Sequence, residues 1–405
     1  MSFQSEEIVK KFNLKKVQEI LTNMNIDAWL LYDFRFSNEL ALTMLGITKK
    51  SHLTRRFYYL IPKHGEPKKI ANAIETFHFD HLPGKKLPYA SYDSLIDNLR
   101  SSLLGIKKVA MEYSPLNAIP YVSRVDAGTI EQIRSLGVEI VSSADLISMY
   151  NALWTKEQFN ENKPVANALN DIVYKAFDFI KKKIENSKSI TEYDVQQFMM
   201  DEFKRRELFT DDPPIVGVNE NSANPHYTPS REVNKKIKTG DFILIDLWAK
   251  VNSEDAVWAD ITWVGFVDNS VPDEYTEIFN IVAEARDTAF DLVCSRFKQG
   301  NEIRGYEVDA SARNVIEQAG YGKYFIHRTG HSITTDLHGS GAHIDNFETK
   351  DERLLLPSTS FSIEPGIYLP GKFGVRSEID VFITNTGKVM FTGKEKQKEV
   401  VAILG

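Results

Sequence analysis

The chain has little cysteine, no long apolar run and no excess of positive charge. Cys294 is its single cysteine, so no disulfide can form within the chain, and we expect a reducing, cytoplasmic compartment. No run of about eighteen apolar residues occurs, and the opening MSFQSEEIVKKF has no apolar segment, so we expect neither a membrane span nor a signal peptide. The net charge of −7 argues against nucleic acid and anionic membranes as partners.

The length and the pattern of apolar residues predict two domains. At 405 residues the chain exceeds the usual size of one domain. Over roughly the first 150 residues, strand-like and helical patterns alternate, which is typical of an α/β layered domain. Thr155 and Gln158 have the spacing of a capping box, which marks a helix start. We therefore place the domains at 1–155 and 156–405.

The second domain has grouped helices and strands, which indicates an α+β fold. Pro164 is expected to interrupt or restart the first helix, because proline lacks the amide hydrogen that a helix interior uses. The apolar periodicity predicts helices at 165–184, 192–207, 273–296 and 306–319 and strands at 214–218, 242–248, 259–266, 359–363 and 374–385.

Two aspartates lie within apolar, strand-like runs. Asp246 ends FILIDLW, and Asp260 opens ADITWVGF. A carboxylate in such a run is partly desolvated, and an uncompensated charge there is costly. Each aspartate alone has an ordinary alternative, in which it caps a turn at a strand end or meets an arginine. Two of them on neighbouring strands favour a functional site.

Three histidines lie within the twelve residues HRTGHSITTDLH, at positions 327, 331 and 338. Their spacings of four and seven share one face of a helix, but Gly330 and the run Ile333-Thr334-Thr335 favour an irregular or extended path. Structural roles remain an alternative for each. We interpret His331 as a metal ligand, with His327 and His338 donating hydrogen bonds to a substrate carbonyl or a developing oxyanion.

Two glutamates complete the candidate set. Glu364 precedes Pro365-Gly366, so it also fits a simple turn-flanking role. Glu378 follows Arg376 by two residues, so the pair is either a plain salt bridge or an arginine that orients a ligand carboxylate. His226, in the loop NPHYTP, is compatible with a structural or a functional role.

Four carboxylates and one imidazole suit hard divalent ions such as Mn, Co, Fe or Zn, and they carry more negative charge than one such ion requires. The five candidate ligands are Asp246, Asp260, His331, Glu364 and Glu378.

These motifs resemble the metallopeptidase family of methionine aminopeptidase, prolidase and aminopeptidase P. The resemblance covers about 160–405 and implies the pita-bread catalytic fold, and the first 150 residues resemble the creatinase-type domain of the proline-specific members. In that family the DL and ADIT aspartates, the GH histidine, the EPG glutamate and the RxE glutamate are the ligands, and they match the five residues above in order. The family's other site residues match His226, His327, His338 and Arg376.

The resemblance implies two divalent ions per chain, of which manganese is the leading candidate. Asp260 and Glu378 would bridge the ions, Asp246 would complete one, and His331 and Glu364 the other. Glu364 would carry a proton to the leaving nitrogen. His226, His327 and His338 would hold the carbonyl and the proline end of the substrate.

The implied substrates are short proline-containing peptides, with access restricted by the N-terminal domain, and the implied assembly is a homodimer. A prolidase acting on Xaa-Pro dipeptides and an aminopeptidase P remain open alternatives. So do a metal-free C–N hydrolase like creatinase and a pseudo-peptidase that only binds.

Several positions depart from the family pattern without removing a ligand. The two aspartates are fourteen positions apart, which is a longer loop than usual, and Trp248 replaces a common small residue. Ser332 and Thr334 stand where the family has glycines, and Gly339 follows His338 where an acid is usual. We expect these departures to reshape the substrate pocket.

Overall fold

The computed structural model describes residues 12–405, which form two compact units that divide between Tyr150 and Asn151. The sequence-based boundary after residue 155 lies close to this division and stays a prediction of where the functional domains meet. Among the described residues, no helix combines the length and the apolar character that a membrane span requires.

The first unit is an α/β layered structure, as its alternating pattern predicted. Its helices within the described range are α1 (Leu14–Asn23), α2 (Glu39–Leu45), α3 (Tyr92–Ser102), α4 (Ala127–Ser135) and α5 (Ala144–Asn151). Its strands are β1 (Ala28–Asp33), β2 (Phe57–Pro62), β3 (Lys68–Asn72), β4 (Lys85–Tyr89), β5 (Lys108–Met111) and β6 (Glu139–Ser142), in the sheet order β4-β3-β2-β1-β5-β6.

The sheet of the first unit is covered on both faces. Side chains alternate along a strand, so Trp29 and Leu31 of β1 pack with α1, α2 and α5, while Leu30 and Tyr32 pack with α3 and α4. β1 is antiparallel to β2 and parallel to β5. Because helices cover both faces, the central strands are apolar on both faces.

The second unit holds the candidate site. Its helices are α6 (Lys156–Glu185), α7 (Glu192–Arg205), α8 (Asp273–Lys298) and α9 (Gly305–Gln318). Its strands are β7 (Leu208–Phe209), β8 (Ile215–Val218), β9 (Phe242–Val251), β10 (Ala259–Phe266), β11 (Ser332–Ile333), β12 (Ser360–Ile363), β13 (Gly366–Leu369), β14 (Phe373–Arg376), β15 (Ile379–Ile383), β16 (Val389–Phe391) and β17 (Val401–Ala402).

These strands form three sheets. The largest has the order β17-β10-β9-β7, with β8 also paired to β9. A second has the order β11-β12-β15-β16, and β13 pairs with β14. Ile243 and Ile245 of β9 pack with α6 and α7, whereas Phe242 and Leu244 pack with α8 and α9. The α+β class and the central strands predicted from the sequence are confirmed.

The prediction that Pro164 interrupts or restarts the first helix was wrong. α6 begins with the predicted capping box of Thr155 and Gln158 and continues through Pro164 to Glu185. A proline inside a helix costs about 3 kcal/mol. The apolar face of α6, which includes Val165, Leu169 and Ile172, is buried against β9 and β10. Each such buried side chain contributes about 1.5–3 kcal/mol, so tertiary packing outweighs the local penalty.

The single strand predicted at 374–385 is two strands in the structure. β14 ends at Arg376 and pairs with β13, and β15 begins at Ile379 and pairs with β12. Ser377 and Glu378 lie in the break between them. The break matters because the chain passes from one sheet to another at Ser377 and Glu378.

Candidate metal centre

The β9–β10 ladder places both aspartates on one face of the sheet. Thr262 lies directly opposite Asp246, and Trp248 lies directly opposite Asp260. Directly opposite residues of an antiparallel pair project to the same side, as do residues two apart on one strand. Asp246 and Asp260 therefore share the face that begins with Phe242 and Leu244, and both are buried.

Glu378 is held against this ladder by two contacts with Thr262. The Thr262 hydroxyl donates to Glu378 Oε2 over 2.7 Å, and the Glu378 N–H donates to the Thr262 carbonyl over 3.3 Å. The break between β14 and β15 thus delivers a buried glutamate to the aspartate face.

His331 joins the two predicted bridging carboxylates. One potential ligand atom from each of Asp260, His331 and Glu378 lies within 4.8 Å of the others. His331 Nδ1 is 3.2 Å from the Ser332 carbonyl. A carbonyl only accepts, so Nδ1 carries the proton and Nε2 keeps its lone pair. That lone pair is the one available to a metal ion.

Glu364 enters from the turn between β12 and β13. Its Oε1 lies 3.4 Å from His331 Nε2. The Ser362 hydroxyl, 3.0 Å from Oε1, also accepts the His331 N–H over 3.0 Å. The Glu364 N–H donates to the Thr329 carbonyl over 2.7 Å. The glutamate and the histidine are therefore positioned by shared partners.

Arg376 is the cation that contacts these acids. Its guanidinium donates to Asp246 and, over 2.8 Å, to the Thr262 hydroxyl, and it lies 3.9 Å from Glu364 Oε2. Among the described residues, Arg376 does not form the plain salt bridge with Glu378 that the sequence left as an alternative. Arg376 reaches Glu378 through Thr262 instead.

Burial and mutual repulsion destabilise the negative charges of these acids, and the protein compensates those charges poorly. Burial, with the nearby Glu378 and Asp246 charges, raises the pKa of Asp260 well above its usual value. Burial and the Glu364 charge raise the pKa of Glu378 in the same way. Burial also raises the pKa of Asp246, although Arg376 opposes this shift. Burial lowers the pKa of His331 to about 3, which keeps the imidazole neutral.

Two buried oxygens support a metal site by their lack of partners. Asp260 Oδ1 and Glu378 Oε1 are buried and have no hydrogen-bond partner among residues 12–405. A buried polar atom without a partner is costly. Carboxylate oxygens with one imidazole nitrogen form a donor set that suits divalent ions such as Mn, Co, Fe or Zn. The residues present therefore fit the divalent ions that the sequence motifs implied.

The three flanking histidines have different surroundings. The His338 side chain is exposed, and its ring lies 4.3 Å from the His331 ring. His327 Nδ1 donates to the Arg328 carbonyl over 2.6 Å, so its Nε2 accepts from the Tyr368 hydroxyl over 2.8 Å. In this arrangement His327 Nε2 is not the donor that the sequence analysis assigned to a substrate carbonyl.

His226 is not joined to the cluster. Its side chain is exposed, and the hydrogen bond that the described chain gives it runs from its backbone N–H to Asn224 Oδ1. The structure thus brings together the five predicted ligands, Arg376 and His338. His327 is connected to the cluster through Tyr368, whose hydroxyl lies 3.5 Å from Arg376.

Sequence reasoning missed the residues that hold the ligands in place. Besides Thr262, Ser362 and Tyr368, they include Asp380, whose Oδ2 accepts the Asp260 N–H over 2.7 Å. A usable signal was present for two of them. Thr262 follows Asp260 by two positions, and Asp380 follows Glu378 by two within the strand predicted at 374–385, so the predicted strands place each on the face of a candidate ligand.

Ser332 and Thr334, which depart from the family pattern, pack against Gly339 and Gly341 and do not line an open space. Ser332 and Thr334 are buried. A Cβ added to Gly339 would lie 2.6 Å from Thr334 Cγ2, and one added to Gly341 would lie 2.5 Å from the Ser332 hydroxyl. The larger residues at 332 and 334 therefore require glycines at 339 and 341, which explains the missing acid after His338.

Comparison with known proteins agrees with this site. Residues 165–385 match the family described as metallopeptidase family M24. An uncharacterized peptidase of Staphylococcus aureus (strain MRSA252) is 28% identical over 269 residues, which is 65% of this chain and 69% of that protein. An Xaa-Pro dipeptidase of Pyrococcus furiosus is 36% identical over 183 residues, which is 45% of this chain and 48% of that protein.

The solved structures extend the likeness to both units. A recombinant prolidase from Thermococcus sibiricus matches 96% of this chain and 98% of its own, with 24% identity and a TM-score of 0.56. At that identity the match establishes the shared fold. The matched segments span about half the length of curated relatives such as the Pyrococcus dipeptidase.

The match over more than half of its residues shows that this chain belongs to metallopeptidase family M24. Its second unit has the pita-bread fold of that family, accompanied by an N-terminal α/β domain.

Proposed function

We propose that the chain is a dinuclear metal-dependent exopeptidase that hydrolyses the peptide bond before proline. The observation that carries this proposal is the convergence of Asp260, His331 and Glu378, with one buried oxygen of each acid left without a partner. Family membership supports the hydrolytic chemistry. The names of two similar proteins, a prolidase and an Xaa-Pro dipeptidase, support the proline specificity.

Asp246, Asp260, His331, Glu364 and Glu378 are the residues that would hold two divalent ions. When bound, such ions supply Lewis-acid polarisation of the carbonyl and ionise a water near neutral pH. Thr262 fixes Glu378 through its hydroxyl and fixes Arg376 through the same oxygen. Arg376 in turn orients Asp246. Contacts within the protein therefore orient Glu378 and Asp246, as groups behind metal ligands do.

Glu364 is our candidate for carrying a proton from water to the leaving nitrogen. It is less buried than Asp260 and Glu378, with a side chain 14% exposed. Its Oε1 is held by Ser362 and its Oε2 faces Arg376 at 3.9 Å. A carboxylate with one oxygen held by a hydrogen bond and a side chain still reached by solvent is suited to proton transfer.

His338, whose ring lies 4.3 Å from that of His331, is our candidate for contacting the substrate carbonyl. Its side chain is exposed, so it can be reached by a substrate. A neutral imidazole can donate a hydrogen bond to a carbonyl without adding a positive charge beside the metal ions. We propose substrate contacts for His226 and His327 on the resemblance alone.

The proposal is tested with a peptide panel. Purified full-length protein is treated with a chelator, reloaded with Mn, Co, Fe or Zn, and assayed with Gly-Pro, with Xaa-Pro-Xaa tripeptides and with Xaa-Ala peptides. We expect the chelated protein to be inactive, Mn to restore the highest rate, and Xaa-Ala peptides to be poor substrates. Hydrolysis of dipeptides alone indicates a prolidase, and release of residue 1 from tripeptides indicates an aminopeptidase P.

Metal analysis separates the proposal from its rivals. Two ions per chain support it. Activity on C–N substrates without metal supports a creatinase-like hydrolase, and tight peptide binding without turnover supports a pseudo-peptidase. Either result contradicts the proposed function.

The remaining expectations are part of the same proposal. We propose a homodimer located in the cytoplasm, with a creatinase-type domain at 1–155 and the catalytic domain at 156–405. Sedimentation of the purified chain measures its assembly.

A further inference from the structure

Arg286 is a fully buried arginine of α8 that lies outside the candidate metal centre. Its Nε donates to Asp287 Oδ1 over 2.8 Å. One of its terminal nitrogens donates to Ser377 Oγ over 2.5 Å and to the Gln397 carbonyl over 2.8 Å. A buried charge is costly unless its polar atoms are paired. Here the pairing joins α8 to two segments that are distant from it in the chain.

Ser377 lies in the break between β14 and β15, directly between Arg376 and Glu378. Both of these neighbours have side chains within the candidate metal centre. Successive side chains of a strand point to opposite faces, and the Ser377 hydroxyl contacts Arg286 on α8 instead of the cluster. The arginine therefore holds the break from the side that faces away from the candidate ligands.

The backbone of Ser377 connects the same contact to a second glutamate. The Ser377 N–H donates to the Pro365 carbonyl over a longer distance of 3.4 Å. Pro365 directly follows Glu364, and Ser377 directly precedes Glu378. A single residue is thus attached to both segments that supply glutamate ligands, and its hydroxyl is the atom that Arg286 holds.

The other contact of Arg286 leads to β10. The Gln397 side chain accepts the Val264 N–H over 2.9 Å and donates to the Val264 carbonyl over 2.6 Å, so it pairs with β10 as a neighbouring strand would. Val264 lies two positions after Thr262, whose hydroxyl donates to Glu378. Arg286 therefore fixes the break relative to the strand on which Glu378 rests.

We infer that Arg286 is a positioning residue of the metal centre, and that it acts through Ser377 to fix the break between β14 and β15 and with it the placement of Glu378. The inference rests on the metal centre of the proposed function and deepens it. Neither Arg286 nor Ser377 is among the residues that the family resemblance assigned to the site.

The test titrates Co²⁺ into metal-free, full-length wild type, Ser377→Ala, Arg286→Met and the double variant. Ser377→Ala removes only the hydroxyl and leaves the contact between Arg286 and Gln397 in place. Groups that orient metal ligands are worth about 10–100-fold in metal affinity, and we expect each single variant to lower Co²⁺ affinity about tenfold. The visible absorption of the bound Co²⁺, which depends on its ligand geometry, is expected to change in both.

The double variant examines whether the arginine acts through the serine. If both substitutions remove the same contact, the double variant binds Co²⁺ no more weakly than Arg286→Met alone. Two independent effects would instead multiply to a loss of about a hundredfold. A multiplied loss would overturn the inference.

Lys396→Met is the matched control. Lys396 Nζ lies 2.8 Å from Asp287 Oδ2, so this variant breaks the outer ion pair beside Arg286 and leaves Ser377 untouched. We expect it to keep the wild-type Co²⁺ affinity. An equal loss in this variant would assign the effect to the general packing of α8 and overturn the inference. Melting temperatures of the metal-free proteins identify a variant that fails to fold, and Ser377→Ala, the smallest change, then carries the test.

The outcomes distinguish this inference from the proposed function, because the metal titration requires no hydrolysis. A wild-type protein that binds no divalent ion overturns both. Wild-type Co²⁺ affinity in Ser377→Ala and in Arg286→Met overturns the inference alone. A wild type that binds two ions and hydrolyses no Xaa-Pro peptide overturns the proposed function, and the inference stands if the variants lose affinity as expected.

Discussion

Two buried acidic sites, one in each unit, differ in how their oxygens are satisfied. Glu112 of the first unit is fully buried, and its two oxygens accept hydrogen bonds from Trp29 Nε1 (2.6 Å), Ser143 Oγ (3.1 Å) and Asn38 Nδ2 (2.8 Å). In the second unit, Asp260 and Glu378 are also buried, but one oxygen of each has no partner among residues 12–405.

The difference teaches that burial alone does not identify a functional acid. Burial raises the pKa of Glu112, as it raises that of Asp260 and Glu378. Hydrogen bonds from Trp29, Asn38 and Ser143 oppose the shift at Glu112, whereas neighbouring negative charges add to it at Asp260. A satisfied acid therefore stabilises its fold, and an unsatisfied group of like charges calls for an external cation.

The largest expected effect comes from removing an unsatisfied acid. We predict that Asp260→Ala lowers kcat/KM for Ala-Pro by about 10³-fold or more, equivalent to at least about 4 kcal/mol of transition-state stabilisation. The melting temperature of the metal-free protein is expected not to fall, because a buried and uncompensated charge is lost. Steady-state kinetics, metal analysis and thermal unfolding measure the three quantities.

Asp260→Asn is the matched variant, since it keeps the shape and removes the charge. We expect it to bind less metal than wild type and to lose kcat/KM to a similar extent as Asp260→Ala. An Asp260→Ala protein with most of its activity left would mean that the ligand set is wrong.

The satisfied acid should show the reverse pattern. We predict that Glu112→Ala lowers the free energy of unfolding by about 3 kcal/mol, because three buried donors lose their acceptor. Metal content per chain is expected to stay at the wild-type value. Urea unfolding followed by circular dichroism, together with metal analysis, checks both statements. Glu112→Gln keeps one acceptor oxygen, so its free energy of unfolding should fall less. A loss of metal in either variant would contradict the comparison between the units.

The smallest effect concerns a buried base near the cluster. His343 Nδ1 accepts the Ser332 N–H over 3.1 Å, and burial lowers the pKa of His343 well below its usual value. The unfolded chain therefore binds a proton near pH 6.5 that the folded chain does not. Stability contributed by this group is complete above pH 6.5 and declines as the pH falls below it.

His343→Asn keeps an acceptor for Ser332 and removes the titration. Between pH 6.5 and 5.5 we predict that the wild-type free energy of unfolding falls by about 1 kcal/mol more than that of the variant. Both proteins are compared without metal, so that the other buried histidines contribute equally. Parallel pH profiles would show that His343 is already charged in the folded chain.

The sequence alone determined the class of each unit and the identity of the clustered acids. Alternating apolar patterns fix which residues face a core, and this local periodicity is visible without coordinates. Asp246 and Asp260 stand out for the same reason, because each interrupts an apolar run with a charge. Glu364 and Glu378 have weaker local signals, the Pro365-Gly366 turn and the nearby Arg376, and the resemblance then assigned both as ligands.

Only the tertiary structure decided how the site is held and which groups reach it. Pro164 stays within α6 because packing on β9 and β10 outweighs a local penalty. His226 lies exposed, and His327 is engaged by Tyr368, although both matched the motif. Thr262 gained its importance from the β9–β10 register. Register and long-range contacts join residues that are far apart in the chain, and no local pattern encodes such pairs.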